Sequence, residues 1–180
     1  MTFSQALCKA CSPSTPANRP ALTAAKMVDP ERIYVVDSMG GGSSLKMLVE
    51  DTVRRIEQGM PIEQVYELAL FDASHTKYQF TTATLEYLRR GGRISSAIAM
   101  LGGVLKILPL IELIGGAMVV TERIRGGELK VIDRMIAKLP QKVRKIGISH
   151  VLAPELAQSV ADKLREIYPA VLIDITQMNP

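Results

Sequence analysis

Residues 97–120 read AIAMLGGVLKILPLIELIGGAMVV, and where this run goes decides what the rest of the chain can be. About 20 apolar residues suffice to cross a bilayer, so its length alone would allow a span. Lys106 and Glu112 stand near its middle, and each would cost about 2.5 to 3.5 kcal/mol at the bilayer centre. Pro109 and the paired glycines interrupt it further. The run therefore reads as buried core or pocket lining in a soluble protein. A chain of 180 residues can house it in one domain with a real core, or in one domain plus an incomplete second.

The flanking patterns set the fold class. IYVVDS (33–38) is a β-branched run that reads as a buried strand. Glycines 40–42 and Ser43 then open a helix over 44–58, closed by Gly59, which makes a strand, turn and helix unit. RPALTAAKMV (19–28) reads as a helix end before it. A helix over 62–73, a strand over 78–82 and a short helix in LEYLRR follow, the last ended by Gly91 or Gly92. A helix is expected to resume over 94–105. PLIEL (109–113) and AMVVTE (117–122) then flank a glycine pair as a hairpin or adjacent strands. A helix around 127–138, a strand at 145–150, an amphipathic helix over 155–168 and a strand at 170–176 complete the reading. This alternation predicts an α/β fold with a mixed or mainly parallel sheet and flanking helices.

Composition removes several function classes. The chain is 47% hydrophobic and 22% charged, unlike a disordered polypeptide. Aromatics make up 4% and Trp is absent, which leaves little for stacking on bases, and no recognition motif accompanies the net charge of +4. Nucleic acid is not expected as a partner. The positive balance suits an acidic partner or transient contact with an anionic membrane surface. Cys8 and Cys11 form the one C-x-x-C pair, without the second pair a four-cysteine zinc site needs. No metal or cofactor is expected, and the thiols read as incidental in a reducing cytoplasm. No Ser/His/Asp set or paired carboxylates occur at a recognisable spacing, and His150 at a strand end reads as structural. Enzyme chemistry is not supported by the residues alone.

Two stretches are open to a functional reading. DSMGGGSS (37–44) sets amides and hydroxyls at a helix start, which would welcome an anion, although an ordinary turn with a Ser cap explains it as well. A phosphate-handling enzyme using Asp37, Ser38 and the arginines is one alternative it leaves open. LEYLRRGGRIS (85–95) carries Arg89, Arg90 and Arg93 around a glycine pair. Cations in a last helical turn complement the dipole and account for the first two. Arg93 follows the turn, and together with Arg123 and Arg125 it would make a basic rim beside the apolar run, suited to a carboxylate, a phosphate or an acidic partner.

The block TLEYLRRGGRISSAIAMLGGVLKILPLIELIGG, with VVDS at 35–38, resembles the signature of the DegV family of bacterial fatty-acid-binding proteins. The elements in common are Tyr87 to Ile94, Gly102 or Gly103, Lys106, Pro109 and Gly115 or Gly116. The resemblance implies a non-enzymatic, cytoplasmic protein that holds one long-chain fatty acid such as palmitate, stearate or oleate. It also implies a fatty-acid kinase subunit as the partner to which the carboxyl group is presented. By the same resemblance Ile94, Ile98, Leu101, Leu105, Ile107, Leu110 and Ile111 are expected to line the acyl pocket with Arg93. Ser12 and Thr15 fall near the family's head-group hydroxyls, although Pro16 replaces the expected glycine. Arg89, Arg90, Arg123 and Arg125 are expected at the rim. Residues 1–29 are expected to be a leader and the helix remnant of an incomplete first domain, and 30–180 the lipid-binding domain. By the same resemblance, the family's hydroxyl-bearing first domain and its final His-x-Gly-Pro segment are expected to have no counterpart in this sequence. The alternative is a remnant without cargo that self-associates, as a homodimer, through an exposed apolar face.

Overall fold

The computed structural model describes residues 18–94 and 107–179. The chain divides into two compact units, Met1–Thr76 and Lys77–Pro180. That division falls well after the 29/30 boundary read from the sequence.

The first unit is helical. It holds α1 (Asn18–Val28), α2 (Ser43–Glu57) and α3 (Ile62–Ser74). Helix α2 ends because Gly59 takes a left-handed φ of 77°. The Gly59 amide then donates to the Ile56 carbonyl and the Met60 amide to the Arg55 carbonyl, and Pro61 begins the next helix. The helices turn Leu48, Ala69 and Ala73 onto Val36, with Tyr66 and Leu70 at the edge. Arg55 Nη2 donates to Asp72 Oδ2 at 2.7 Å and ties α2 to α3, both side chains being nearly buried. The expected strand at 33–38 is a correction: among the described residues it joins no ladder. β-Branched composition reports an extended preference, but a strand exists only where a second backbone supplies the hydrogen bonds.

The second unit is α/β, and its described strands form two sheets. One is antiparallel with order β1 (Gln79–Phe80), β2 (Ile107–Ile114), β3 (Ala117–Arg125). The other is the parallel pair β4 (Lys145–His150) and β5 (Leu172–Gln177). Gly115 and Gly116 have φ of 56° and 80°, the mirror-image turn that suits a two-residue hairpin. Helices α4 (Glu86–Arg90), α5 (Glu128–Ala137) and α6 (Pro154–Ile167) accompany them. The strand expected over 78–82 shortens to two residues. The helix expected over 94–105 lies, past Ile94, outside the described residues.

The β2–β3 ladder contains a bulge. Ile111 pairs with Val120 and Leu110 with Glu122, so Thr121 is the extra residue. Paired residues share a face. Ile111, Met118 and Val120 therefore look one way, into a cluster with Leu85, Ile94, Phe80 and Leu88. Leu110 and Glu122 look the other way, toward α5. Ile111, fully buried, and Ile114, 54% exposed, occupy one strand. Ile111→Ala is expected to lower unfolding free energy by about 2 to 5 kcal/mol, against less than about 0.5 kcal/mol for Ile114→Ala. Urea denaturation followed by far-UV circular dichroism measures both.

Candidate functional site

Helix α4 and its turn carry the densest charge. Thr84 Oγ1 accepts from the Glu86 amide at 3.2 Å and starts the helix. It ends in two crossed bonds, Arg93 amide to Leu88 carbonyl and Gly92 amide to Arg89 carbonyl, both 2.9 Å, with Gly92 at φ 68°. Only a residue that tolerates positive φ closes a helix this way. The turn delivers Ile94 into the apolar cluster at 8% exposure, while Tyr87 stands 75% exposed.

The arginines divide by what they touch. Glu86 accepts from Arg89 Nε at 3.0 Å and Nη2 at 2.7 Å, and from Arg90 Nε at 2.8 Å. Those hydrogen bonds pull the Glu86 carboxyl down to about 2. Arg93 folds back and donates to the Gly91 carbonyl. Arg123 and Arg125 pair with Pro109 and Ile107 across the ladder, which puts them on the face of Ile111, the one α4 packs against. Among the described residues Arg93, Arg123 and Arg125 form no ion pair. All five rim arginines are exposed.

The opposite face carries a network that sequence patterning does not reveal. Thr121 Oγ1 donates to Glu112 Oε1 at 3.0 Å, and Lys138, just past α5, bonds both Glu112 and, at 3.1 Å, Glu122. Arg134 Nε donates to Glu122 at 2.7 Å, and Gln79 Nε2 to the Met135 carbonyl at 2.8 Å. Hydrogen bonds from Lys138 and Thr121, against some desolvation, hold Glu112 below the usual carboxylate range. Those from Arg134 and Lys138 do the same for Glu122. Only the bulge puts Thr121 and Glu122, sequence neighbours, on one face, and the strict alternation of a regular strand would separate them.

Of the expected acyl-pocket residues, Ile94 and Ile111 are buried together and Ile107 lies on the same sheet face, half-buried. Leu110 is fully buried on the α5 side. Ser12, Thr15, Ile98, Leu101 and Leu105 lie outside the described residues, as do Cys8 and Cys11. A shallow depression of about 760 Å³ runs along α6, lined by Glu155, Gln158, Asp162, Lys163 and Glu166 among others, and is too polar for an acyl chain. In DSMGGGSS, Ser38 and Ser44 donate to the Gly40 and Gly41 carbonyls, and Asp37 accepts from the Met39 amide. These hydroxyls stabilise the loop rather than capping α2. His150 Nδ1 accepts from the Ala153 amide at 3.4 Å, a loop-holding contact. No group of three metal-ligating side chains occurs among the described residues, and none of their helices is long and apolar enough to cross a membrane.

The sequence profile described as "Uncharacterised protein, DegV family" matches residues 15–180. A DegV domain-containing protein of Streptomyces coelicolor is 30% identical over 150 residues, 79% of this chain and 52% of that protein. The Streptococcus pneumoniae fatty acid kinase B3 protein, loaded with linoleic acid, superposes with a TM-score of 0.83 at 23% identity, covering 95% of this chain and 63% of that one. A DegV family protein of Eubacterium eligens loaded with heptadecanoic acid gives 0.82 at 21% identity, over 94% and 64%. The chain spans about half the length of the curated relatives it matches.

The Lys138 clamp sets a pH window. Both glutamates have folded values below their unfolded ones, so their contribution is complete above about pH 4.3 and is lost as pH falls through the folded values. Lys138 is raised by the same contacts. Its contribution is complete below about pH 10.4 and is lost as pH rises through the folded value. The melting temperature of Lys138→Met is expected to trail that of the parent at pH 7, with the gap closing toward pH 3. Thermal melts by circular dichroism read it.

Proposed function

Because the chain belongs to the DegV family, we propose that it binds one long-chain fatty acid, such as palmitate, stearate or oleate, and has no catalytic set of its own. The observation that carries this reading is the apolar face of the antiparallel sheet, where Ile111, Met118 and Val120 gather Ile94 and Leu88 and leave Ile107 half-buried at the end of β2. Each buried methylene is worth about 0.8 kcal/mol, so a chain of about 16 carbons supplies on the order of 12 kcal/mol before ordering costs. Ile98, Leu101, Leu105, Ser12 and Thr15 enter this proposal by the sequence resemblance alone. Leu110, on the far face, would support the wall from behind.

The basic rim suits presentation of the bound carboxyl group to a kinase subunit. The solved relative loaded with linoleic acid is itself described as a fatty acid kinase B protein. This reading places the protein in the cytoplasm.

Mass spectrometry of purified protein after organic extraction tests the lipid reading. A stoichiometric acid of about 16 to 18 carbons is expected. Ile107→Glu, which sets a charge on the apolar face, is expected to cut retained lipid about tenfold, whereas Ile114→Glu on the exposed end of β2 leaves it unchanged. Lipid-free protein eluting as a dimer would transfer the apolar face to self-association instead.

A further inference from the structure

The ladder of β2 and β3 can be closed in two ways that differ only on the side of the bulge away from the glycine turn, and the two give the apolar face opposite charge. In the observed register Pro109 lies opposite Arg123 and Ile107 opposite Arg125, with Thr121 left over. Without the bulge, each β3 residue there would move one position along β2, so that Pro109 would meet Glu122, Leu108 would meet Arg123 and Ile107 would meet Ile124. Glu122 would then stand on the face of Ile111 and Val120, beside the buried Pro109. A carboxylate there would draw water onto an apolar wall and repel the carboxylate of a fatty acid.

The observed register is held from the opposite face. Glu122 accepts from Arg134 Nε at 2.7 Å and from Lys138 Nζ at 3.1 Å, and Lys138 also bonds Glu112. Glu112 lies on the turn side of the bulge and Glu122 on the other, so one ammonium group spans the slip. Thr121 Oγ1 donates to Glu112 at 3.0 Å, and Gln79 on β1 ties α5 to the same face through the Met135 carbonyl at 2.8 Å. The alternative register would bring Arg123 to the face of Lys138 and Arg134, cation against cation.

We propose that Glu122 is a positioning residue for fatty-acid binding: pinned by Lys138 and Arg134, it selects the bulged register and so keeps its own carboxylate off the acyl wall. This rests on the fatty-acid reading given above. Binding and register are then linked, because the acid favours the register that α5 favours and each strengthens the other.

Arg134→Gln with Lys138→Gln releases the pin in the full chain. Cross-strand NMR contacts are then expected in two sets, Ile107 with Arg125 and Ile107 with Ile124, and added palmitate is expected to return the population to the first. Palmitate affinity, by titration calorimetry, is expected to fall about fivefold as the competent register drops to about a fifth. Deleting Thr121 from that double variant removes the extra residue, so a regular ladder sets Ile107 opposite Arg125 without any pin. Affinity is expected to return to within about twofold of the parent. A merely structural role for the clamp predicts no such rescue, since the deletion adds no contact. The proposal falls if the released protein keeps only the Ile107–Arg125 contact, if its affinity is unchanged, or if a folded deletion variant shows that contact and still binds weakly. Should the deletion variant not fold, the released protein decides: contact sets whose balance palmitate leaves alone overturn the linkage. A parent protein that takes up no palmitate sinks fatty-acid binding and with it the positioning role, whereas the contact sets measured without lipid separately decide what selects the register.

Discussion

Between Leu110 and Ile111 the ladder of β2 and β3 slips by one residue, and every side chain beyond that point takes its face from the slip. A regular strand would have turned Glu122 toward the apolar cluster and Arg123 and Arg125 toward α5. That arrangement would bury a carboxylate among Leu85, Ile94 and Ile111, a costly placement for an unpaired charge. It would also bring two arginines to the Lys138 side of the sheet. With the bulge, the apolar residues and the acidic clamp each fall on the side where their partners are, and Arg123 and Arg125 stay exposed. The extra residue also contributes its hydroxyl to Glu112, so it occupies its place with a satisfied polar group.

Charge is handled differently in the two units. In the second, carboxylates and cations meet mostly at exposed or half-exposed positions, where each pair contributes little by itself and the network orients elements. In the first, Arg55 and Asp72 meet nearly out of solvent, and Arg55 Nη1 is buried without a hydrogen-bond partner. A pair of that kind is a poor source of net stability. Its value is directional: α2 and α3 share a core of Val36, Leu48 and two alanines, which would tolerate sliding, and one fixed ion pair sets the register.

Much of this layout is legible in the sequence because its signals are local. The glycine pair between PLIEL and AMVV announces the hairpin, GGRI announces the end of α4, and helical spacing places α2, α3, α5 and α6 close to their observed limits. What the sequence hides depends on partners distant along the chain. IYVVDS has every local feature of a strand and joins no ladder among the described residues. The bulge is invisible because VVTERIR can be paired in either register, and the choice follows from Arg134 and Lys138 on another element. The arginine rim is visible as composition, but its division is not, since Glu86 reads as an ordinary first-turn acid until its two partners are located. Lys138 has no sequence signal at all beyond standing near a helix end.

The two sheets also differ in how their strands are connected. β2 and β3 are joined by two glycines already suited to the mirror-image turn, whereas β4 and β5 lie parallel and can meet only after α6 has crossed between them. Closing a short loop costs little chain entropy and takes about 1 to 10 microseconds for a hairpin, while the parallel pair must wait for a long connection to be ordered. The order of assembly is thereby written into connection lengths. The hairpin and α5, which follows it directly along the chain and fixes its bulged register, can therefore assemble as a local unit ahead of the parallel pair.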